Sequence, residues 1–552
     1  MNPIRLPASP GATAVLIVGA GPTGLATALL MDRFGIPFMV VERNAGLTDH
    51  PRARGTWVRT MELFRQWGIE RAVKARGLPD DANGFAFVES ITGHEYGRVP
   101  REIDFGQTPA WKCTVSQDVV EDELYRVVRQ SRLGRVCFDT EFLRYEETAD
   151  GVVAFTRDTR TGEETKRPAL YLVAADGAGS GLRRQMDIAM TGPASLAIMN
   201  NDYWQGDLSH VPSVRQVGVF RILPGDPGVS QASVLNTNGA DRWLTVTKVG
   251  DGSDVTPPQR SDAEVVRLAR AHSGVPNLDV KIINRSVWRV SKQVAARYSR
   301  GRVFLVGDAA HRFPPTGGYG MNTGIQDAHN LAWKLALVLR GQAGEALLDT
   351  YDTERRPIGQ ANADFSHGNT VRFMKLEEAF RSRNLQAINF WIKDVVHHSH
   401  SIGLGLGFSY DDGAIVPDGT APRGLTLGRY DPSDRPGGRF PHLWLDLARQ
   451  RSTLDLFDRD FVIVHGPRSA DWKAAARDVC ERLDVPIRTH ELESVDARDG
   501  LDMGLYGAVL VRPDGHVAWR MPWVPEEPAA SLASAMEHTL RRQGAATLRR
   551  AA

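Results

Sequence analysis

The tightest constraint on this chain is the run Val15–Val18 followed by Gly19-Ala20-Gly21-Pro22-Thr23-Gly24. A short apolar run, a G-x-G-x-x-G turn and an apolar segment from Leu25 to Phe34, stopped by Gly35, read as strand, glycine loop and helix. A second apolar strand, Phe38–Val41, ends at Glu42. That order opens a parallel sheet. Gly19 permits the tight turn, Gly21 lets the backbone approach a pyrophosphate, and Gly24 lets the helix pack closely on the strand. The helix start offers free N–H groups and a positive dipole end to the phosphates. Glu42 lies 18 residues beyond Gly24, near the spacing of roughly 20 for a ribose-binding carboxylate. An acidic side chain there favours a free 2′-hydroxyl, as in FAD or NAD, over a 2′-phosphate.

The same region bears on compartment. Ala14–Met31 is apolar enough to suggest a signal peptide or membrane span, but Gly19, Gly21, Pro22 and Gly24 interrupt it and only Arg5 precedes it. It reads as a buried strand plus a buried helix face, and no other stretch competes as a span. With 67 basic and 66 acidic residues, net +1, no overall field favours nucleic acid, anionic membrane or acidic partners. Cys113, Cys137 and Cys480 form neither C-x-x-C nor a zinc spacing, and read as reduced thiols of a cytoplasmic protein.

At 552 residues the chain has room for two to four domains. Residues 43–60 read as a loop entering a helix near Met61–Trp67, residues 80–112 as a β excursion, and Asp118–Arg129 as an amphipathic helix. Leu170–Ala174 is a further strand, running into Asp176. Between about 190 and 290, alternating runs such as Val217–Ile222, Ala232–Leu235 and Trp243–Val249 predict a mostly antiparallel sheet inserted into the first domain. Val303–Val306 returns as a buried strand, followed by a loop over 307–322. A long helix with Ile325, Ala328, Ala332, Leu335 and Leu339 at helical spacing comes next, and helices continue to about 400. The last part predicts strand Phe461–Val464, helix Trp472–Leu483, strand Ile487–Leu492, hairpin Ala508–Trp519 and helix Ala529–Leu540. The expected class is α/β in three units: residues 1–80, 106–185 and 290–400; residues 81–105 and 186–289; and residues 401–552.

Two further motifs carry chemistry. Gly307-Asp308-Ala309-Ala310-His311 leads into Pro314-Pro315-Thr316-Gly317-Gly318-Tyr319-Gly320-Met321-Asn322. A strand end delivers a carboxylate, and a Pro/Gly loop opening a helix can aim backbone N–H groups at an electron-rich ring. This suits Asp308 as acceptor for a polyol hydroxyl and the loop as donor to a flavin edge; a silent turn is the alternative. Asp176-Gly177-Ala178-Gly179-Ser180-Gly181-Leu182-Arg183 reads either as a structural turn with a salt bridge or as a holder of cofactor phosphate or ribose.

The three motifs in this order resemble the group A flavoprotein aromatic hydroxylases, with the fold of para-hydroxybenzoate hydroxylase. Pro51-Arg52-Ala53, Arg59-Thr60-Met61-Glu62, Gln117 and Tyr351-Asp352-Thr353-Glu354-Arg355-Arg356-Pro357 support the match over roughly residues 14–400. Pro436-Gly437-Gly438-Arg439 and Tyr506–Gly515 resemble the thioredoxin-like domain of the larger members, the phenol, dichlorophenol and polyketide-tailoring hydroxylases. Gly407-Phe408-Ser409-Tyr410 looks most like the dichlorophenol 6-monooxygenase branch. The resemblance implies a Rossmann-like FAD-binding domain, an inserted substrate sheet and a thioredoxin-like α/β domain. It implies FAD pyrophosphate at Gly19, Gly21, Pro22, Thr23 and Gly24, adenosine ribose at Glu42, and adenine near Arg43. Arg52 and Gln117 would approach the pyrophosphate and ribityl region. Asp308 would bind the ribityl chain, and Pro315, Gly318, Gly320, Met321 and Asn322 the isoalloxazine. Asp176 and Arg183 would serve a shared FAD/NAD(P)H motif. In such enzymes NAD(P)H reduces a mobile flavin, and O2 then yields a C4a-hydroperoxide that hydroxylates a phenolate. Baeyer–Villiger oxidation, epoxidation, or flavin binding without turnover are the rival readings. The implied partners are a small aromatic substrate and O2, and the implied state is a monomer or homodimer.

Weaker candidates complete the expectations. His311 is read as bracing its loop rather than as a base. His397, His398 and His400 are read as a solvated helix end, so no metal site is expected. Tyr203, Phe220, Trp243 and Trp288 fall in the inserted sheet and Tyr319 beside the loop; each is a candidate substrate contact. The C-terminal domain has no C-x-x-C, so a packing or dimer-contact role is expected of it.

Overall fold

The computed structural model describes residues 4, 6, 11–50, 53–82, 84–99, 102–252, 255–421, 425–493 and 501–542. Its first sheet runs, by neighbouring strands, Ser299–Arg300, Val303–Leu305, Glu164–Ala174, Thr13–Val18, Phe38–Val41 and Gly134–Cys137, with Gly151–Asp158 and Thr140–Thr148 extending Glu164–Ala174. The central pairs are parallel. Both faces of such strands are covered, which is why they read as unbroken apolar runs. Helix Pro22–Arg33 packs against helices Gln117–Val128 and Tyr319–Leu339 over this sheet. The apolar stretch of Ala14–Met31 is thus a core strand and a core helix. Among the described residues no helix is long and apolar enough to cross a membrane.

Register puts the motifs together. Val18 pairs with both Ala174 and Val41, and Ala174 pairs with Leu305. Parallel strands release their next residues at the same edge, so Gly19, Glu42, Asp176 and Asp308 all emerge at the carboxyl ends of neighbouring strands, where open α/β sheets bind ligands.

The second sheet has seven strands in the order Lys281–Val290, Ala197–Gln205, Arg242–Gly250, Ala232–Asn236, Val217–Ile222, Gly84–Val88 and Glu95–Val99. It is antiparallel except where Val217–Ile222 meets Gly84–Val88. One face closes on helix Asp262–Ser273 in a core containing Trp204, Trp243, Phe220, Val234 and Ala269. The far end of the other face packs Phe85, Phe87 and Val99 against Phe373, Leu376, Ile388 and Ile392. Helix Thr350–Arg381 therefore starts at the first sheet, where Tyr351 donates to Leu305, and finishes on the second, joined there by helix Leu385–Asp394.

The C-terminal sheet orders Ile487–Glu491, Phe461–His465, Ala508–Val511 and Val517–Met521, with helices Asp471–Leu483 and Pro528–Thr539 packed together beside it. The β-α-β-β-β-α order read from the sequence holds. One expected boundary shifts: the loop after Val303–Leu305 ends early, because Gly318 at φ +69° opens helix Tyr319–Leu339. Gly320, Met321 and Asn322 therefore occupy its first turn rather than the loop.

Candidate cofactor and substrate site

The glycine loop is fixed by contacts that a side chain would block. Gly19 has φ +105°, and a Cβ there would fall into the Ala175 carbonyl; at Gly24 it would fall into the Gly19 carbonyl. At Gly21 a Cβ would meet nothing within 4 Å. The turn is thus closed beneath and open above. Pro22 and Thr23 begin the helix, and Thr23 packs its side chain against the positions where Gly307 and Gly324 lack one. Glu42 reaches back into the loop: its carboxylate accepts the Ala20 N–H at 2.9 Å and the Asn44 side chain at 2.6 Å. The exposed Arg43 follows at the rim.

The second loop sits beside the first. Asp176 accepts the Leu182 N–H at 3.2 Å through one oxygen, while its other oxygen is buried without a hydrogen-bond partner. Burial raises the Asp176 pKa. Arg183, 7% exposed, leaves Nε and one terminal nitrogen buried and unbonded. Burial lowers its pKa, and Arg312 and Arg184 add to that. Asp176 still attracts Arg183 and pulls its pKa the other way, but the buried Asp176 oxygen and the two Arg183 nitrogens are left without hydrogen bonds. An open cradle above Gly21, Gly177 and Gly179, rimmed by unpaired buried donors and an unpaired acceptor, fits a dinucleotide carrying phosphates and hydroxyls.

Asp308 stands exposed at the end of the Val303–Leu305 strand, beside Gly320. Pro315 is exposed, and Met321 and Asn322 are buried. Asn322 is the fastener of this loop. Its Oδ1 accepts the Trp57 N–H at 2.8 Å, and its Nδ2 donates to Gly318 at 2.7 Å and to Gly55 at 3.2 Å. Trp57 stacks on Tyr319 with centroids 5.1 Å apart, and its Nε1 donates to the Gly318 carbonyl. His311 is fully buried and bonded to Asp327 at 2.6 Å, as a brace would be. Gln117 opens its helix, donates its N–H to Ala53 and its amide to Glu121. Arg52 and its neighbour Pro51 lie outside the described residues.

The inserted sheet divides the aromatic candidates. Trp204 and Trp243 are paired across strands and stacked, with Phe220 tilted against Trp243; all three are 0% exposed in the core under helix Asp262–Ser273. Phe220 and Trp243 are therefore corrected from substrate contacts to outer-face core. A strand turns alternate side chains to opposite faces, so Tyr203 and Asn201 point the other way. Trp288 joins them by donating to Asn201 at 2.9 Å. On this inner face lies His50, bonded to Asn284 and to Ser286 and edge-on to Tyr203. Arg54 crosses to the Gly218 carbonyl, and burial pushes its pKa down to about 9. His50, Arg54 and Trp57 thus bridge the inner face and the Pro315–Gly318 loop with the helix start that follows it. None of the three was singled out from the sequence; a His-Pro-Arg-x-Arg run between two motifs was the available signal.

His397, His398 and His400 are also corrected. All three are half-buried, and His398 is edge-on to Phe85 and Phe373, with burial lowering its pKa to about 4. No metal-binding group of side chains occurs among the described residues. Burial raises the Cys113 thiol pKa to about 11, in keeping with an inert core thiol. A groove of about 520 Å³ lies at the remote edge of the second sheet, by Ile91, Arg98 and Val211, and touches none of the motifs.

Comparison with known proteins agrees with this layout. Residues 12–366 match an FAD binding domain and residues 433–542 an aromatic-ring hydroxylase C-terminal domain. The chain is 36% identical to tetracenomycin A2 monooxygenase-dioxygenase of Streptomyces glaucescens, over 96% of this chain and 97% of that one. It is 33% identical to 2,4-dichlorophenol 6-monooxygenase of Cupriavidus pinatubonensis, over 96% and 97%. The flavin-dependent monooxygenase PieE, solved with FAD and substrate, superposes with a TM-score of 0.88 at 32% identity, covering 96% of this chain and 99% of that one. With its dinucleotide cradle, its inserted sheet and its thioredoxin-like third unit, the chain belongs to the FAD-dependent aromatic-ring hydroxylases.

Proposed function

We propose that this FAD- and NAD(P)H-dependent monooxygenase hydroxylates a polycyclic phenol held between the Pro315–Gly318 loop, with the helix turn that follows it, and the inner face of the seven-stranded sheet. The observation that carries the reading is the bridge of His50, Arg54 and Trp57, which ties one loop to both walls of that space. In this reading residues 1–80, 106–185 and 290–400 serve FAD, residues 81–105 and 186–289 serve the substrate, and residues 401–552 form the third unit. Tyr203, Trp288 and Tyr319 supply flat apolar area with polar edges. The size class is supported by relatives named tetracenomycin A2 and tetracenomycin B2 monooxygenase-dioxygenase.

FAD, when bound, supplies the redox and oxygen-transfer chemistry. The chain's own groups do the positioning. Gly19 to Gly24 and the helix start receive the pyrophosphate, with Gln117 beside it. Glu42 takes ribose hydroxyls, Arg43 lies by the adenine, and Asp308 takes ribityl hydroxyls. Asp176 and Arg183 receive the polar groups that satisfy their unpaired atoms. Gly318, Gly320 and Met321 line the flavin ring, while Asn322 keeps the loop shaped. The buried Arg54 guanidinium stabilises a phenolate over the neutral phenol by Coulomb attraction in a poorly solvated wall. Molecular oxygen is the second substrate, and the working form is a cytoplasmic monomer or homodimer.

The test is NAD(P)H oxidation across simple phenols, naphthoquinols and polycyclic polyketide phenols, with product structures determined by NMR. Stimulation should be greatest with the polycyclic phenols, and the products ring-hydroxylated. Lactones or epoxides as sole products, or preference for single-ring phenols, would sink the reading.

A further inference from the structure

Six charged side chains lie buried where the C-terminal domain meets the helices behind the segment Gly307–Gly318, here called the flavin-side loop after the proposed function: Lys334, Arg355 and Arg512 facing Asp327, Glu354 and Asp514. Three cations balance three anions. Charges in such a place persist only when paired and hydrogen-bonded, and these form a continuous chain. Arg512 follows strand Ala508–Val511 and donates through both terminal nitrogens to Glu354, at 2.8 and 2.9 Å, and also to Asp514. Glu354 accepts Lys334 at 2.9 Å and Asn330 Nδ2 at 2.6 Å. Asn330 and Arg355 both donate to the Tyr410 hydroxyl, at 3.3 and 3.4 Å. Arg355 Nε donates to Asp327 at 2.8 Å. The other Asp327 oxygen accepts the Gly307 N–H at 3.2 Å and bonds His311 at 2.6 Å. One carboxylate therefore grips both ends of the turn that presents Asp308.

A second arm leaves the same hairpin. The Asp514 carbonyl accepts Arg59 at 2.7 Å, and Arg59 pairs with Glu62, which also takes Arg439. Arg59 and Glu62 lie on helix Val58–Gln66, directly after Trp57, the residue that Asn322 fastens to the loop. The hairpin thus touches the supports on both sides of the flavin-side loop. Adhesion alone does not need it. A continuous apolar core already joins the two units, with Trp333 edge-on to Phe461 and with Trp472 and Trp519 in the same cluster. Buried ion pairs add less stability than apolar packing of equal volume, but they are directional.

We propose that Arg512 and Asp514 are positioning residues, through which the C-terminal domain sets the turn Gly307–His311 and so couples NAD(P)H oxidation to substrate hydroxylation. The coupling half rests on the reading of Asp308 as a cofactor contact; the positional half does not.

Tyr410→Phe in the full-length protein removes only the bridging hydroxyl and keeps the ring. Hydrogen exchange of the peptide spanning 305–313 is followed without and with FAD, alongside hydrogen peroxide released per NAD(P)H consumed. The expected result is exchange about tenfold faster at 307–311 in the FAD-free protein, strand Phe461–His465 unchanged, and a peroxide share raised severalfold. Unchanged exchange at 307–311, or equal acceleration throughout the C-terminal domain, overturns the positional claim and leaves a domain staple. Faster exchange with an unchanged peroxide share overturns the coupling claim. Arg512→Lys, which keeps the charge but loses the fork, is expected to give the same pattern and provides a second variant should either one fold poorly. FAD titration of Asp308→Ala tests the underlying reading separately: unaltered affinity refutes the role of Asp308 without touching the exchange result.

Discussion

Gly21 and Gly24 stand three residues apart in one turn and answer to different forces. At Gly24 a Cβ would collide with the backbone of Gly19, so the constraint is internal packing. At Gly21 a Cβ would meet open space, and the backbone angle, φ −72°, suits any residue. Gly21→Ala is therefore expected to leave the melting temperature of the FAD-free protein within about 1 °C while weakening FAD binding by about tenfold or more, about 1.4 kcal/mol. Gly24→Ala should lower the melting temperature even without FAD. Thermal melts and flavin-fluorescence titration separate the two. The close packing at Gly24 was legible in the sequence from the motif spacing, and the space above Gly21 is compatible with the ligand approach that the same spacing suggests. The aromatics were less so. A tryptophan in a strand is visible as such, but its face is not, and a shift of one residue exchanges the faces.

That ambiguity is settled by whole elements. The strand Ala197–Gln205 pairs on both sides, and its partners send Trp204 and Trp243 under helix Asp262–Ser273 while Tyr203 looks inward. Trp243→Phe should destabilise the fold with an unchanged KM for the aromatic substrate. Trp288→Phe should raise KM severalfold with little loss of stability, because Trp288 is half-buried on the inner face. Steady-state kinetics with parallel melts decides this, and a KM change in Trp243→Phe alone would reverse the assignment of faces. At the start of helix Tyr319–Leu339, Asn322 makes three hydrogen bonds with Trp57, Gly318 and Gly55. Asn322→Ala leaves those groups unpaired and should cost about 1–3 kcal/mol, read from urea unfolding. The sequence marked Asn322 as important by its motif, though as a flavin contact; its grip on Trp57 joins residues 265 positions apart, which no local pattern encodes.

Across the whole molecule, buried charge dictates the response to acid. Burial alone would raise the Glu354 pKa, but Arg512 and Lys334 outweigh it and hold the carboxyl down to about 2, below the ordinary 4.5. Asp327 and Glu62 are lowered in the same way by His311 with Arg355 and by Arg439 with Arg59. Between those values the unfolded chain binds protons that the folded one refuses, so this stability is present above about pH 4.5 and is lost as pH falls toward 2. Burial also holds His272 and His398 down to about 4 and His329 to about 3, below the ordinary 6.5. Their contribution is complete above pH 6.5 and likewise lost on acidification. The melting temperature should therefore begin to fall below about pH 6.5 and fall more steeply below about 4.5. Glu354→Gln should flatten the steeper limb while lowering stability at neutral pH. A melting temperature that is flat from pH 7 to 3 would contradict this account.

Local sequence was enough to specify the strand–glycine loop–helix unit, the acidic end of the second strand, the order of three motifs and the α/β succession of the last domain. Each depends on neighbours along the chain, where hydrophobic period, turn chemistry and helix stops act over a few residues. That Gly19, Glu42, Asp176 and Asp308 share one edge follows from strand pairing, because parallel register, rather than proximity in sequence, brings strand ends level. Tertiary packing turned Phe220 and Trp243 outward and placed His50, Arg54 and Trp57 against the loop. It also gathered Asp327, Glu354 and Arg512 into one buried chain, since charges far apart in sequence find partners only after the apolar elements that carry them have packed.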